Sequence, residues 1–314
     1  MGHGLCRGKS GERNMTDYVR FLLSKVGGRY ENWMQRRLSG YQFPGEVEEI
    51  RDIPYMNDGE NAHRMNVYRP RSGGKNLPVI LNLHGGGLVL CTRDVNRPLC
   101  AELAKRGFLV FCLDYPLVPQ VTVPQMLNDV CRAMDRAGDL IPQFGGDPDR
   151  VFLVGDSSGA FLSVYAAAVR KSQAVAAAAG VKPSALDIKG MGLISGMLHT
   201  AACDSTGFFL RSDFYGKDWR NHPLLPYLKP ERHEIASLMP PVFLITGWAD
   251  SLRRSTVRFH RGLKQAGIPV QMQHYPLKME FCHDFVAMYP ERDGAQKAMD
   301  EMVDFLLEKT PIDK

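Results

Sequence analysis

The chain contains no apolar run of about 18 residues, the length a helix needs to cross a bilayer, so no membrane span is expected. It has no C-x-x-C pair. Its seven cysteines are Cys6, Cys91, Cys100, Cys112, Cys131, Cys203 and Cys282. Their odd number and wide spacing argue against a disulfide framework or a zinc site and for a reducing compartment, so a cytoplasmic location is the expectation. There is no long Lys/Arg block. The formal net charge of +5 is scattered, which reads as mild surface basicity and argues against nucleic acid as a partner. Neither Gly85-Gly86-Gly87 nor Gly155–Gly159 ends in Gly-Lys-Ser/Thr, which disfavours a phosphate loop. No internal repeat is present. The opening "MGHGLCRGKSGERN" lacks the apolar core of a signal peptide, and "MGHGLC" lacks the Ser/Thr of a myristoylation signal. Residues 1–14 are expected to be a disordered leader. Met15 is an alternative start, before a helix that Thr16 would cap.

What is present is an ordinary globular composition, 44% hydrophobic and 23% charged over 314 residues. Apolar residues between 16 and 39 recur at helical spacing, interrupted by Gly27 and Gly28, and predict two short helices. Strands are expected over 46–53 and 62–69, joined through the turn signal "NDG" at 57–59. From residue 78 the pattern changes to short, dense apolar runs: "PVILNLHG", "GFLVFCLDY", "RVFLVGDS", "IKGMGLISG", "PPVFLITGWAD" and "PVQMQHYP". Several are nearly continuous, as in strands buried on both faces of a parallel sheet. Helical stretches lie between them, at about 96–106, 123–140, 158–171, 252–266 and 295–308. The alanine-rich 174–180 ends a helix, with Gly180 past its end. This alternation predicts a doubly wound α/β sheet. Residues 197–235 break it with an aromatic, irregular stretch, read as a cap inserted over one end of the sheet.

"GDSSG", residues 155–159, fits G-x-S-x-G with Ser157 at its centre, between a predicted strand and a predicted helix. Such a sharp turn exposes the central hydroxyl, and the helix start offers N–H groups and positive dipole to an oxyanion. The competing reading is a serine that only caps the helix. Upstream, His84-Gly85-Gly86-Gly87 ends another strand. Its glycine N–H groups, with that of Ser158, can form an oxyanion hole; Gly85 and Gly86 are the expected donors, and Gly87 could replace one of them. A serine nucleophile needs a base, and the base an orienting acid. For a nucleophile on this kind of elbow the chain order is Ser, Asp or Glu, then His. Asp250 follows the strand "VFLIT", and His283 lies a few residues past the next strand. His274 sits inside a strand and reads as structural. His199, His222, His233 and His260 read as packing or surface residues, and Asp284 and Glu280 adjoin His283 but cannot easily reach its ring.

These motifs resemble those of the hormone-sensitive-lipase-like branch of the α/β-hydrolase esterases. His84–Gly87 is similar to its H-G-G-G, "DYPLVPQ" (114–120) to D-Y-R-L-A-P-E, "GGDPDR" (145–150) to G-G-D-P-x-R, and "GDSSGA" to G-D-S-A-G-G; the late acid and histidine segments match Asp250 and His283. The match covers nearly everything from about residue 46. Pro116, Gln120, Ser158, Ala160 and the "DSLRRS" around the acid depart from the pattern, which puts the substrate range in question. The resemblance implies a mostly parallel eight-stranded sheet flanked by helices, N-terminal cap helices over 15–45, a core over 46–314, and a helical cap insertion at about 197–235. It implies a serine carboxylesterase acting on short-to-medium acyl esters through Ser157, His283 and Asp250, with no metal and no cofactor. Phe208, Phe209, Phe214, Tyr215 and Trp219 would line an apolar pocket or pack the cap. The partner implied is a small-molecule ester, with a homodimer open as an assembly. An amidase or aryl formamidase uses the same machinery. A peptidase is disfavoured because no additional propeller domain fits in 314 residues, and a ligand-binding receptor because His283 is present.

Overall fold

The computed structural model describes residues 28–29, 32–201 and 207–308. The expected helix over 16–27 and the 1–14 leader lie outside the described residues. Residues 32–40 form helix α1. β1 (Val47–Pro54) and β2 (Arg64–Pro70) follow, within two residues of the expected bounds. Then come β3 (Leu77–Leu83), α2 (Arg97–Lys105), β4 (Leu109–Leu113), α3 (Val123–Leu140), β5 (Gly146–Asp156), α4 (Ser158–Lys171), α5 (Gln173–Ala179) and β6 (Ile188–Ile194). The chain continues through α6 (Arg211–Tyr215), α7 (His233–Ala236), β7 (Val242–Gly247), α8 (Arg253–Gln265), β8 (Val270–Tyr275), α9 (Phe285–Met288) and α10 (Asp293–Glu308).

The eight strands form one sheet in the order β1-β2-β4-β3-β5-β6-β7-β8. β1 pairs antiparallel with β2, and β2 with β4; every other pairing is parallel. The near-continuous apolar runs are explained by cover on both faces. In β3, Val79, Leu81 and Leu83 join the core on one face, while Ile80 joins the core on the other. That is the two-residue alternation of a strand, with both destinations buried. Met126, Leu127 and Val130 of α3 and Phe161 and Leu162 of α4 cover the first face. Leu99 and Leu103 of α2 and Met299, Met302 and Leu306 of α10 cover the second. Each such side chain contributes about 1.5–3 kcal/mol by leaving water.

Helix ends follow local chemistry. Thr122 and Gln125 make a capping box at the start of α3, and Gly180 closes α5 in the left-handed region at φ 64°. The alanine-rich stretch is thus a separate short helix, restarted by Ser172, whose hydroxyl accepts the Val175 N–H. In the 197–235 segment the described elements are α6, α7 and single 3-10 turns at Phe208–Leu210, Trp219–Asn221 and Leu225–Tyr227. Pro223, Pro226 and Pro230 account for the brevity after residue 221, since each lacks an N–H donor and is tolerated only in the first turn of a helix.

Candidate active site

The carboxyl ends of β5, β7 and β8 lie on the same edge of the parallel sheet, with β6 between β5 and β7, and the loops leaving them carry the key side chains. Ser157 occupies the turn between β5 and α4 with φ 47° and ψ −113°, a strained conformation for a non-glycine residue. Its N–H donates to Ile194 O at 2.8 Å, and its carbonyl accepts the Met197 N–H at 2.8 Å. α4 can pass this close only because residue 159 is glycine. A Cβ there would lie 1.9 Å from the Leu83 carbonyl oxygen, inside any permitted contact.

His283 Nε2 lies 3.1 Å from Ser157 Oγ, and His283 Nδ1 lies 2.9 Å from Asp250 Oδ1. Asp250 accepts two more hydrogen bonds, from the Leu252 N–H at 2.9 Å and the Thr246 hydroxyl at 2.8 Å. Burial opposes its ionisation, but the bond and charge of His283, with the Leu252 and Thr246 donors, outweigh burial and hold its carboxyl below the usual value. The sign for stability follows. A depressed carboxyl stabilises the fold above about pH 4, its unfolded value, and that contribution is lost as pH falls through the folded value. With Asp250 ionised, the Nδ1 proton of His283 is fixed toward it, leaving Nε2 to accept from Ser157.

The glycine loop is held from several sides. His84 stacks on Tyr115 at 4.3 Å between ring centroids and lies 3.0 Å from Asp114 Oδ1, whose Oδ2 accepts from Arg93 at 2.7 Å. One expectation is corrected here. The Gly85 N–H donates to Asp156 Oδ2 at 2.8 Å, so it is not presented to a substrate. Gly86 at φ 122° and Gly87 at φ 65° supply the next two N–H groups, in conformations that favour glycine. The hydroxyl of Ser158 also has a task that the motif did not reveal, because it accepts the Leu88 N–H at 3.2 Å. Ser158→Ala leaves that buried donor unpaired. It is therefore expected to cost about 1–3 kcal/mol of stability in denaturant unfolding while keeping the backbone N–H at 158 in place. Unchanged stability would show that this bond is idle.

The expected aromatic lining is also revised. Phe214 and Tyr215 are 1% and 4% exposed and belong to the main core, because α6 packs inward and the Tyr215 hydroxyl pairs with Thr200. Trp219 is partly buried, with Arg211 and Arg220 over its ring. Phe209 is exposed, and the Phe208 side chain lies outside the described set. A cavity of about 370 Å³ beside Asp250 is walled instead by Met197, His199, Trp248, Leu252, Arg253 and Arg254, among others. Of the rival histidines, His274 accepts from Arg253 at 2.8 Å, and burial and then the Arg253 charge hold it below its ordinary value. His199 lies 2.9 Å from Glu231. Sequence reasoning passed over Asp156, Asn96 and Arg93; the acid inside "GDSSG" was the available signal for the first. Among the described residues no group of three or more His, Cys, Asp or Glu side chains could hold a metal ion.

A doubly wound sheet with a serine elbow at the end of its central strand, facing a histidine and an acid from later loops, defines the α/β-hydrolase class. The chain belongs to the alpha/beta hydrolase fold family, whose model matches residues 80–287. It is 28% identical over 278 residues to a probable isoprenylcysteine alpha-carbonyl methylesterase of Oryza sativa, covering 84% of this chain but only 65% of that protein. It is 28% identical to carboxylesterase NlhH of Mycobacterium tuberculosis over 77% of each chain. The solved structure of esterase B from Lactobacillus rhamnosis superposes with a TM-score of 0.83 at 22% identity, covering 95% of each chain.

Proposed function

We propose that this chain is a serine carboxylesterase that hydrolyses short-to-medium acyl esters through an acyl-enzyme. The observation that carries the reading is the continuous relay from Ser157 Oγ through His283 to the buried Asp250. His283 Nε2 takes the hydroxyl proton as Ser157 Oγ attacks the ester carbonyl carbon. Asp250 keeps the imidazole oriented and stabilises the imidazolium. The tetrahedral oxyanion is held by the N–H groups of Gly86, Gly87 and Ser158, three donors that have no acceptor among the described residues. Gly85 has the supporting task of tying the loop to Asp156. Collapse expels the alcohol, protonated by His283. Water, activated by the same Nε2, then releases the acid and restores Ser157. The 197–235 segment is read as the cap over this end of the sheet. The names of the related esterases agree with an ester substrate.

The test is a series of p-nitrophenyl esters of increasing acyl length beside the matching p-nitroanilides. Turnover is expected on the shorter esters, and slower or none on the anilides. Faster turnover of the anilides would move the assignment to an amidase.

A further inference from the structure

Asp284 follows His283 directly and takes no part in the reaction steps above. Its backbone lies in the left-handed region at φ 63°, and its N–H donates to the Ser195 hydroxyl at 3.0 Å. Its carboxyl is buried and within hydrogen-bonding reach of the Asp156 carboxyl, on the residue before Ser157. Donors are shared unequally between the two acids. Asp156 Oδ2 accepts the Gly85 N–H at 2.8 Å and Oδ1 accepts the Asn96 amide at 2.5 Å. Asp284 Oδ1 is buried and receives no N–H or O–H donor among the described residues. Two carboxyls in contact away from water cannot both ionise. The one that collects N–H donors keeps the charge, and the one without them keeps the proton.

We infer that Asp284 is a neutral carboxylic acid in the folded protein, donating its O–H to the Asp156 carboxylate, and that this bond is a positioning strap joining the His283 loop to the elbow and the glycine loop. Asp156 is the node. It precedes Ser157 in the chain, it fixes Gly85, and through Asp284 it reaches the residue next to His283. The surroundings favour the neutral form. Burial acts first, then Asp156 from the β5 elbow, then Asp250 from the β7 loop, and together they push the Asp284 carboxyl well above its usual range. The strap rests on the proposed roles of Ser157 and His283, but the proton on Asp284 can be measured without turnover.

In the unfolded chain Asp284 ionises at about pH 4. Folded, it holds its proton to higher pH, so between the two values the native state binds one proton more than the unfolded state. Stability therefore falls as pH rises through that window. Asp284→Asn keeps the shape, tolerates the left-handed backbone and retains an N–H donor, but cannot ionise. Asp284→Gly keeps the backbone conformation and removes the donor.

The experiment is thermal unfolding of the wild type and both variants between about pH 5 and pH 9, with ester hydrolysis assayed on the same samples. The Tm of Asp284→Asn relative to wild type is expected to increase steadily with pH. Its kcat at neutral pH should stay within about threefold of wild type, whereas Asp284→Gly should lose about tenfold in kcat with KM little changed. A Tm difference independent of pH would overturn the proposal. So would an Asp284→Asn variant that fails to fold or is as impaired as Asp284→Gly. The Tm comparison stands even if no ester is hydrolysed, which separates failure of the strap from failure of the esterase reading.

Discussion

Ser157→Ala is expected to lower kcat for a short p-nitrophenyl ester by on the order of 10⁵- to 10⁶-fold, with the melting temperature nearly unchanged. The size of the loss follows from the chemistry. Among the described residues no other hydroxyl lies within hydrogen-bonding distance of His283 Nε2, so none of them inherits the proton relay. The preserved fold follows from the elbow's own bonds. The Ser157 N–H and carbonyl are tied to Ile194 and Met197 through the backbone, and alanine keeps the Cβ. Among the described residues the deleted oxygen bonds to His283 alone. Assays with circular dichroism on the same preparation check both halves. Unchanged turnover would remove Ser157 from the mechanism, and loss of turnover with loss of fold would leave the chemistry to a milder variant such as Ser157→Cys.

Asp250→Ala is expected to lower kcat by on the order of 10⁴-fold. Among the described residues it removes the one carboxylate against His283 Nδ1, and it strands two donors, the part-buried Leu252 N–H and the buried Thr246 hydroxyl. Stability should fall as well, by several kcal/mol if neither donor finds water. Asp250→Asn separates orientation from charge. Its amide oxygen can replace Oδ1, which faces both Leu252 and His283, and its NH₂ can donate to Thr246. That variant should keep more activity than Asp250→Ala, and the difference measures what geometry alone supplies. A loss under tenfold for Asp250→Ala would assign the orienting role to a different acid.

Much of this was legible because the signals are local. The strand runs are continuous where both faces are covered, and the helices expected over 123–140 and 158–171 agree with α3 and α4. The elbow demands small residues at 155 and 159 for steric reasons that any sequence carries openly. What escaped depends on contacts distant in sequence. Whether Gly85 or Gly87 offers its N–H is decided by the Asp156 carboxylate, 71 residues away. Aromatic composition marks 197–235 as unusual, but only the inward turn of α6 decides that Phe214 is buried while Phe209 is exposed. Asp284 was readable as a neighbour of His283. Its meeting with Asp156 was not, because β5 and β8 stand two strands apart in the sheet and only the course of the loops leaving them brings the two residues together.

The central claim is that Ser157 is a nucleophile activated by His283. A fluorophosphonate probe, followed by intact-mass measurement and peptide mapping, tests it most directly. The account predicts one adduct, carried by the peptide that contains Ser157, and none on the Ser157→Ala protein. No adduct on the folded wild type, or an adduct that persists after Ser157→Ala, would contradict it.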